Sequence, residues 1–302
     1  MARQKHKWVQ ARVCILLLVP LYSIGQTNLV LNPSFEEYSG SYGDFWNQCT
    51  SSTVNYWDSP TYGTPDWFDT VVHSGDRGVP SNYVGYQYPR TGNAYGGFGF
   101  GGGGGCPLCD YYEYVEGQLT IGLSGNKKYC VTYYVSLADS AWYASSTLGA
   151  YLSAFSVCIP TNYDTLPYIP QIENPINEPI TNKINWVPVS GEFTATGGEQ
   201  YITIGGFDSI SHFTYIGGGG IIFPKGFPNT YYYIDDVSVR ELTFARAGRD
   251  TSLCAGQQAL LGEDSTTPGV SYYWQLYLMQ GLEYKYKSYL IIILLGRSAS
   301  FI

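Results

Sequence analysis

The stretch YYYIDDVSV, Tyr231 to Val239, alternates along its length and carries two acids inside the alternation. In a strand, side chains two apart share a face. Tyr233, Asp235, Val237 and Val239 therefore point one way, and Tyr232, Ile234, Asp236 and Ser238 the other. One acid travels with the core-facing set. An ionised carboxylate there is costly unless it is paired, hydrogen-bonded or bound to a cation, so Asp235 needs a partner. Two are open: backbone N–H groups at a strand rim, or a metal. The stretch reads as the closing strand of a β-sandwich.

The segments upstream extend that reading. GEFTATGGEQYITIGGF, Gly191 to Phe207, has two alternating runs joined by Thr196-Gly197-Gly198-Glu199 and predicts a hairpin. In KYCVTYYVSLAD, Tyr129, Val131, Tyr133, Val135 and Leu137 share one face, as in a central strand. LGAYLSAFSV, Leu148 to Val157, follows a short polar connection and is expected to pair with it, which makes Cys130 with Cys158 the first candidate disulfide. Ile159 to Lys183 is rich in Pro, Asn and Ile without a period, as a long surface loop would be. GYQYPRTGNAYGGFGFGGGGG, Gly85 to Gly105, holds a strand near 93–100 that dissolves into glycine; no Lys-Ser/Thr follows, so a phosphate loop is disfavoured. Trp57 and Trp67 fall in a loop-rich aromatic stretch, and NLVLNPSFEEY, Asn28 to Tyr38, offers a short strand, a turn and another acid pair.

The composition agrees with this pattern. The chain has 302 residues, 44% hydrophobic, 17% aromatic and only 13% charged, with 30 Tyr and 36 Gly. Such a balance favours strands and turns over helices. The fold class expected is all-β, a jelly-roll β-sandwich.

Residues 1–25 read as a secretory signal: Arg3, Lys5, Lys7 and Arg12 precede the apolar run Val13–Leu21, and small residues stand before Gln26. That run is too short to span a bilayer. Removing the leader takes the net charge from −8 to −12, which disfavours nucleic acid as a partner. Beyond Cys14 lie Cys49, Cys106, Cys109, Cys130, Cys158 and Cys254, and exported cysteines usually pair. Cys106-Pro-Leu-Cys109 has redox spacing but follows a glycine run rather than opening a helix, and local bridging is the favoured reading.

Past residue 243 the character changes. Residues 247–275 place Cys254 ahead of Trp274 at a spacing that suggests the front half of an immunoglobulin-like sandwich. Residues 276–302 read as a truncated or frame-shifted tail.

NLVLNPSFEE near the mature start, a Trp-rich first third and YYIDDVSV as last strand resemble the galactose-binding-like jelly roll of many carbohydrate-binding modules, over residues 26–243. In that family the Glu of N-P-x-F-E and the first Asp of I-D-D-V commonly ligate a structural calcium; here these are Glu36 and Asp235. Calcium takes six to eight oxygen ligands, so backbone carbonyls would complete the site. GVPSNYVGYQYPRTGNAYGG with KKYCVTYYVSLADS looks like the N-terminal domain of secreted surface proteins of gliding Gram-negative bacteria. GRDTSLCAGQQALLG with YYW looks like their polycystic-kidney-disease or immunoglobulin-like repeats. Such proteins generally end in a sorting or anchoring domain, and this chain departs from them there.

The function expected is that of a non-catalytic binding module, secreted or on the cell surface, that recognises a glycan. Sugars stack on aromatic rings while polar groups bond their hydroxyls, and Trp57, Trp67 and Trp142 are candidate platforms, each also a candidate core residue. One rival is a glycoside hydrolase working through two carboxylates. Glu113 with Glu116, Glu36 with Glu37 and Asp235 with Asp236 are the acid pairs available, but adjacent strand residues face opposite ways. His73 and His212 lie in no nucleophile or metal motif. A structural adhesin or spacer is the third reading.

Overall fold

The computed structural model describes residues 27–39, 49, 53–71, 76–102, 110–161, 164–208, 213–217 and 230–242, together with the backbone of 276–277 and 293–294. The chain divides into two compact units, Gln26–Phe244 and Met1–Gly25 with Ala245–Ile302. In the latter, Leu276–Tyr277 pairs antiparallel with Ile293–Leu294. The leader, the immunoglobulin-like segment and most of the tail lie outside the described residues, as do Cys106, Cys109 and Cys254.

The first unit is all-β, with no helix among its described residues. Its strands are β1 (Trp57–Asp58), β2 (Asp66–Asp69), β3 (Ser81–Asn82), β4 (Gly85–Tyr86), β5 (Ala94–Gly102), β6 (Asp110–Tyr112), β7 (Tyr114–Gln118), β8 (Lys128–Leu137), β9 (Tyr143–Ser145), β10 (Leu148–Ser153), β11 (Ile172–Glu173), β12 (Val187–Thr194), β13 (Tyr201–Gly206), β14 (Phe213–Tyr215) and β15 (Thr230–Glu241). One sheet runs β1-β7-β13-β10-β11, the other β12-β8-β15-β5-β2 with β6 on β5. Every pairing within them is antiparallel.

The alternation read in β8 is real: Tyr129, Val131, Tyr133, Val135 and Leu137 are buried, while Cys130, Thr132 and Tyr134 are only half-buried. From the other sheet, Val115, Ala150, Leu152, Ile202 and Ile204 join the same core. Aromatic rings such as Phe98, Phe100 and Tyr232 fill its thickness. Each large ring takes about 150–250 Å² out of water, an upper bound of about 4–6 kcal/mol at about 25 cal/mol per Å².

A second cluster of Phe68, Tyr95, Tyr231 and Tyr233 covers the far face of the six-stranded sheet, beneath Val79, Tyr83 and Val84. The glycines of β5 make it possible. A Cβ on Gly97 would lie 2.6 Å from the Tyr231 hydroxyl and 2.8 Å from Phe68, so only hydrogen fits there.

The first and last ribbons of the unit meet. Leu29 donates its N–H to the Val239 carbonyl at 2.9 Å, Val237 donates to Pro33 at 2.9 Å, and the Asn28 amide bonds Val237 and Val239.

The face assignment along β15 needs a correction. Against β8 the register shifts between Asp235 and Ser238, with Asp236 at φ 49°. This bulge inserts one residue and reverses the phase. Tyr232 and Ile234 before it share the inter-sheet core with Val237 and Val239 after it, whereas Tyr231 and Tyr233 lie in the second cluster. Asp235 is fully buried, but on the side away from the inter-sheet core.

Two pairings also differ from expectation. β10 joins β13 and β11, not β8. β12 pairs with β8, and β13 with β7 and β10, so Thr196–Glu199 is a corner that carries the chain between sheets rather than a hairpin turn.

The disulfide follows suit. Cys130 on β8 and Cys158 after β10 belong to different sheets, and the Cys130–Cys158 bridge is not formed. Cys158 bonds Cys49, with Cα atoms 5.4 Å apart, and Cys130 is a free, half-buried thiol beside Thr132 and Ser190.

Candidate functional site

A groove of about 570 Å³ opens on the β10 side of the five-stranded sheet. Its walls come from three places: the end of β10 with the segment that follows it, residues 151–159; the loop bearing Tyr168 and Gln171; and the 196–199 corner. Tyr151 and Tyr168 stack with ring centroids 4.5 Å apart and planes 7° from parallel. Phe155 stands 83% exposed on one lip. The stacked pair and the exposed phenyl give the groove an aromatic wall.

Each wall is held by bonds to the scaffold. Buried Glu116 on β7 accepts the Ser156 hydroxyl at 2.7 Å, the Val157 N–H at 3.0 Å and the Thr203 hydroxyl at 2.8 Å. Burial raises its pKa against those hydrogen bonds. Beyond Val157, the Cys49–Cys158 bridge and the Ile159 N–H to Pro60 bond fix the far end of the lip. The opposite loop rests on Leu166, whose N–H reaches the buried Tyr114 hydroxyl at 3.0 Å. Gln171 clasps the backbone of Leu152 from both its amide atoms, at 2.7 and 3.0 Å.

At the corner, Glu199 accepts the Thr196 N–H and hydroxyl at 2.7 Å each and the Gly197 N–H at 2.9 Å. Burial alone would raise its pKa; the bonds from the Thr196 side chain and the neighbouring backbone outweigh it and bring the pKa below the usual value.

The tryptophans expected to serve as platforms sit elsewhere. Trp57 is 1% exposed and Trp67 7%, and each donates its indole N–H to a backbone carbonyl, of Asn32 at 2.9 Å and Phe35 at 3.0 Å. Both are core residues without a free ring face. Trp142 is half-buried beside the Tyr143–Tyr215 ring pair and does not line the groove.

Glu36 and Asp235 do act on one element, the loop entering β5. Asp235 accepts the N–H groups of Arg90 at 2.8 Å, Thr91 at 3.2 Å and Asp236 at 2.7 Å. Glu36 accepts those of Asn93 at 2.8 Å and Ala94 at 2.9 Å. Asp236 takes the Ser34 and Thr91 hydroxyls and pairs with the Arg90 guanidinium, which lies over the Tyr134 ring. Burial, then the charge of Asp236, push the Asp235 carboxyl up to about 8 against its three N–H donors.

These oxygens are of the class calcium takes, and a buried carboxyl with a raised pKa is what a cation would relieve. Among the described residues no group of three or more His, Cys, Asp or Glu converges. Glu36 Oε1 and both carboxylate oxygens of Asp235 accept main-chain N–H groups.

Glu113 and Glu116 are engaged separately, whereas Glu113 lies within reach of the charge of Asp66. Glu113 accepts Gly99 N–H at 2.6 Å, Thr64 N–H at 3.0 Å and the Tyr111 hydroxyl at 2.9 Å, with none of Glu116's partners among them. Asp66 receives the hydroxyls of Tyr83 and Tyr231.

Sequence reasoning did not find the groove. Tyr151 reads as one more residue of an alternating strand, and Tyr168 lies in a stretch with no period. No local pattern in the sequence marks either ring as part of a site.

No protein-family model matches the chain, and no curated protein does. Several solved structures are similar in part. The CBM22-1 xylan-binding domain from Paenibacillus barcinonensis Xyn10C is 13% identical over 68% of this chain and 100% of that one, with a TM-score of 0.34. The K3 cleaved adhesin domain of Lys-gingipain from Porphyromonas gingivalis W83 is 14% identical over 71% and 98%, with a TM-score of 0.34. The Stig cyclase Fisc from Fischerella sp. TAU is 12% identical over 72% and 98%, with a TM-score of 0.35. These likenesses are slight and span a binding module, an adhesin domain and an enzyme, and nothing about this chain's activity follows from them.

Proposed function

We propose that this protein is a non-catalytic, extracytoplasmic binding module that takes a polysaccharide in the groove over β10. The observation that carries the reading is the Tyr151–Tyr168 stack, set in an open groove beside exposed Phe155 and the hydroxyl-bearing side chains Ser153, Ser156 and Thr196. The separate engagement of Glu113 and Glu116 supports binding over hydrolysis, since a hydrolase needs two carboxyls flanking one bond. The Cys49–Cys158 bridge supports an oxidising compartment.

Calorimetric titration of the purified protein with neutral oligosaccharides is expected to show saturable binding. Tyr168→Ala removes one ring of the stack and should weaken it about threefold to tenfold, the worth of an aromatic contact of about 0.5–1.5 kcal/mol. Tyr86→Ala, on an exposed ring outside the groove, should change nothing. Equal affinities for wild type and Tyr168→Ala would remove the groove from the account.

The same reading includes a structural calcium held by Glu36 and Asp235. Its role would be to fix the loop entering β5 against the first and last ribbons, with no part in ligand chemistry. Added calcium should raise the melting temperature, by the equivalent of about 2.7 kcal/mol at one hundred times its Kd. Asp235→Ala should abolish the response, and a wild-type protein indifferent to calcium and to chelator would remove the ion.

A further inference from the structure

We propose that the groove selects uncharged polysaccharides and turns away uronate- or sulfate-bearing ones, with Glu199 as the residue that discriminates. The inference rests on the glycan-binding reading above and narrows its ligand.

Among the described residues, the side chains lining the groove are aromatic, aliphatic, hydroxyl-bearing or amide, with a single charged member, Glu199, and no Lys, Arg or His. An anionic sugar would therefore bring its charge to a wall that offers no cation. It would also have to lie near a carboxylate that cannot easily leave. Three short hydrogen bonds from Thr196 and Gly197 hold that carboxylate at the corner between the two sheets, and they favour its ionised form.

The wall behind the lip also holds acids rather than bases. Glu116 sits directly beneath Ser156 and Val157, and its cross-strand neighbour on β1 is Asp58. A ligand without charge loses nothing in this field, and it gains the ring stack and the hydroxyls of Ser153, Ser156 and Thr196. One bearing carboxylate or sulfate groups meets repulsion at each repeat that enters. Like-charge juxtaposition of this kind is how binding sites reject wrong partners.

The test compares affinities of the full protein for a neutral xylan or glucan oligosaccharide and for an oligogalacturonate of equal length. The wild type should prefer the neutral chain by at least about tenfold at low salt, and the gap should shrink in about 0.5 M NaCl as the repulsion is screened.

Glu199→Gln should narrow the ratio of the two affinities by improving the acidic ligand relative to the neutral one. Because Glu199 also ties the corner together, Ala154→Lys provides an independent arm. Ala154 is exposed, lines the groove and supplies no side-chain hydrogen bond, so the added cation should favour oligogalacturonate without disturbing the turn.

Equal or better binding of oligogalacturonate by wild type, at an affinity that Tyr168→Ala lowers, would overturn the charge selection and leave the groove intact. Failure of both ligands to bind, with Tyr168→Ala indistinguishable from wild type, would instead remove the glycan reading on which the selection rests.

Discussion

Removing the Cys49–Cys158 bridge is expected to destabilise the Gln26–Phe244 unit by about 2–5 kcal/mol, the usual cost for a native disulfide in an exported domain. The bond spans 109 residues, and closing a loop of about that length costs the unfolded chain about 4.7 kcal/mol of entropy in the chain-entropy model. Among the described residues, Ile159 N–H to Pro60 and Tyr62 N–H to Thr161 also tie the segment after β10 to residues 60–62, and Cys49 N–H to Ser59 ties Cys49 to that same stretch. The loss should also reach the groove, because Cys158 lines it and anchors the lip carrying Phe155. Cys49→Ala with Cys158→Ala should therefore lower both the denaturation midpoint and the glycan affinity, whereas Cys130→Ala should lower neither. Peptide mapping under non-reducing conditions decides the connectivity, and a peptide joining Cys130 to Cys158 would overturn it.

That pairing shows where the sequence is readable and where it is not. Period-two alternation is local, so the buried face of β8 could be read directly from Tyr129, Val131, Tyr133, Val135 and Leu137. The need of Asp235 for a partner was legible, but its link to Glu36 was implied only by the resemblance; the two acids each accept N–H groups of the loop entering β5.

What alternation does not encode is which sheet a strand joins. Thr196-Gly197-Gly198-Glu199 has hairpin chemistry, and Gly197 and Gly198 do take positive φ, 110° and 90°. The same turn serves equally well to step from one sheet to the other. A bulge is still less visible, since one extra residue at Asp236 exchanges the faces of everything beyond it. The groove is hidden most deeply: Tyr151 and Tyr168 come from a strand and an aperiodic loop, and only the folded chain stacks their rings. Of the two readings open for Trp57 and Trp67, platform or core, the structure shows the core one. An indole whose N–H finds a backbone carbonyl is comfortable in a core, and Trp57 and Trp67 each found one.

The second large effect expected concerns pH, and it centres on Glu113. This carboxyl is buried beside β5, and burial, followed by the charge of Asp66, raises its pKa from 4.5 to about 7 against hydrogen bonds from Gly99, Tyr111 and Thr64. Asp66 shifts the same way, through burial opposed by Tyr231, Tyr83 and Arg77. A carboxyl whose folded pKa lies above its unfolded one binds its proton more tightly in the native state. Its stabilisation is therefore complete below about pH 4.5 and is lost as pH rises through about 7. The loss belongs to the Glu113–Asp66 pair, whose protons are released together rather than residue by residue.

The loss has a structural address. Tyr83 and Arg77 of the segment covering the second aromatic cluster meet Asp66, so two ionised acids would strain the sheet beneath that cover. Urea denaturation from pH 5 to pH 8 should show the wild type weakening steadily. Glu113→Gln, which keeps an acceptor for Thr64 and Tyr111 but cannot ionise, should start lower and decline less. Parallel curves for the two proteins would mean that Glu113 is ionised throughout, held so by the Gly99 and Thr64 N–H groups. The pH response would then belong to Asp66 or to Asp235, and Asp66→Asn would be the variant that flattens it if the tyrosine cluster is its source.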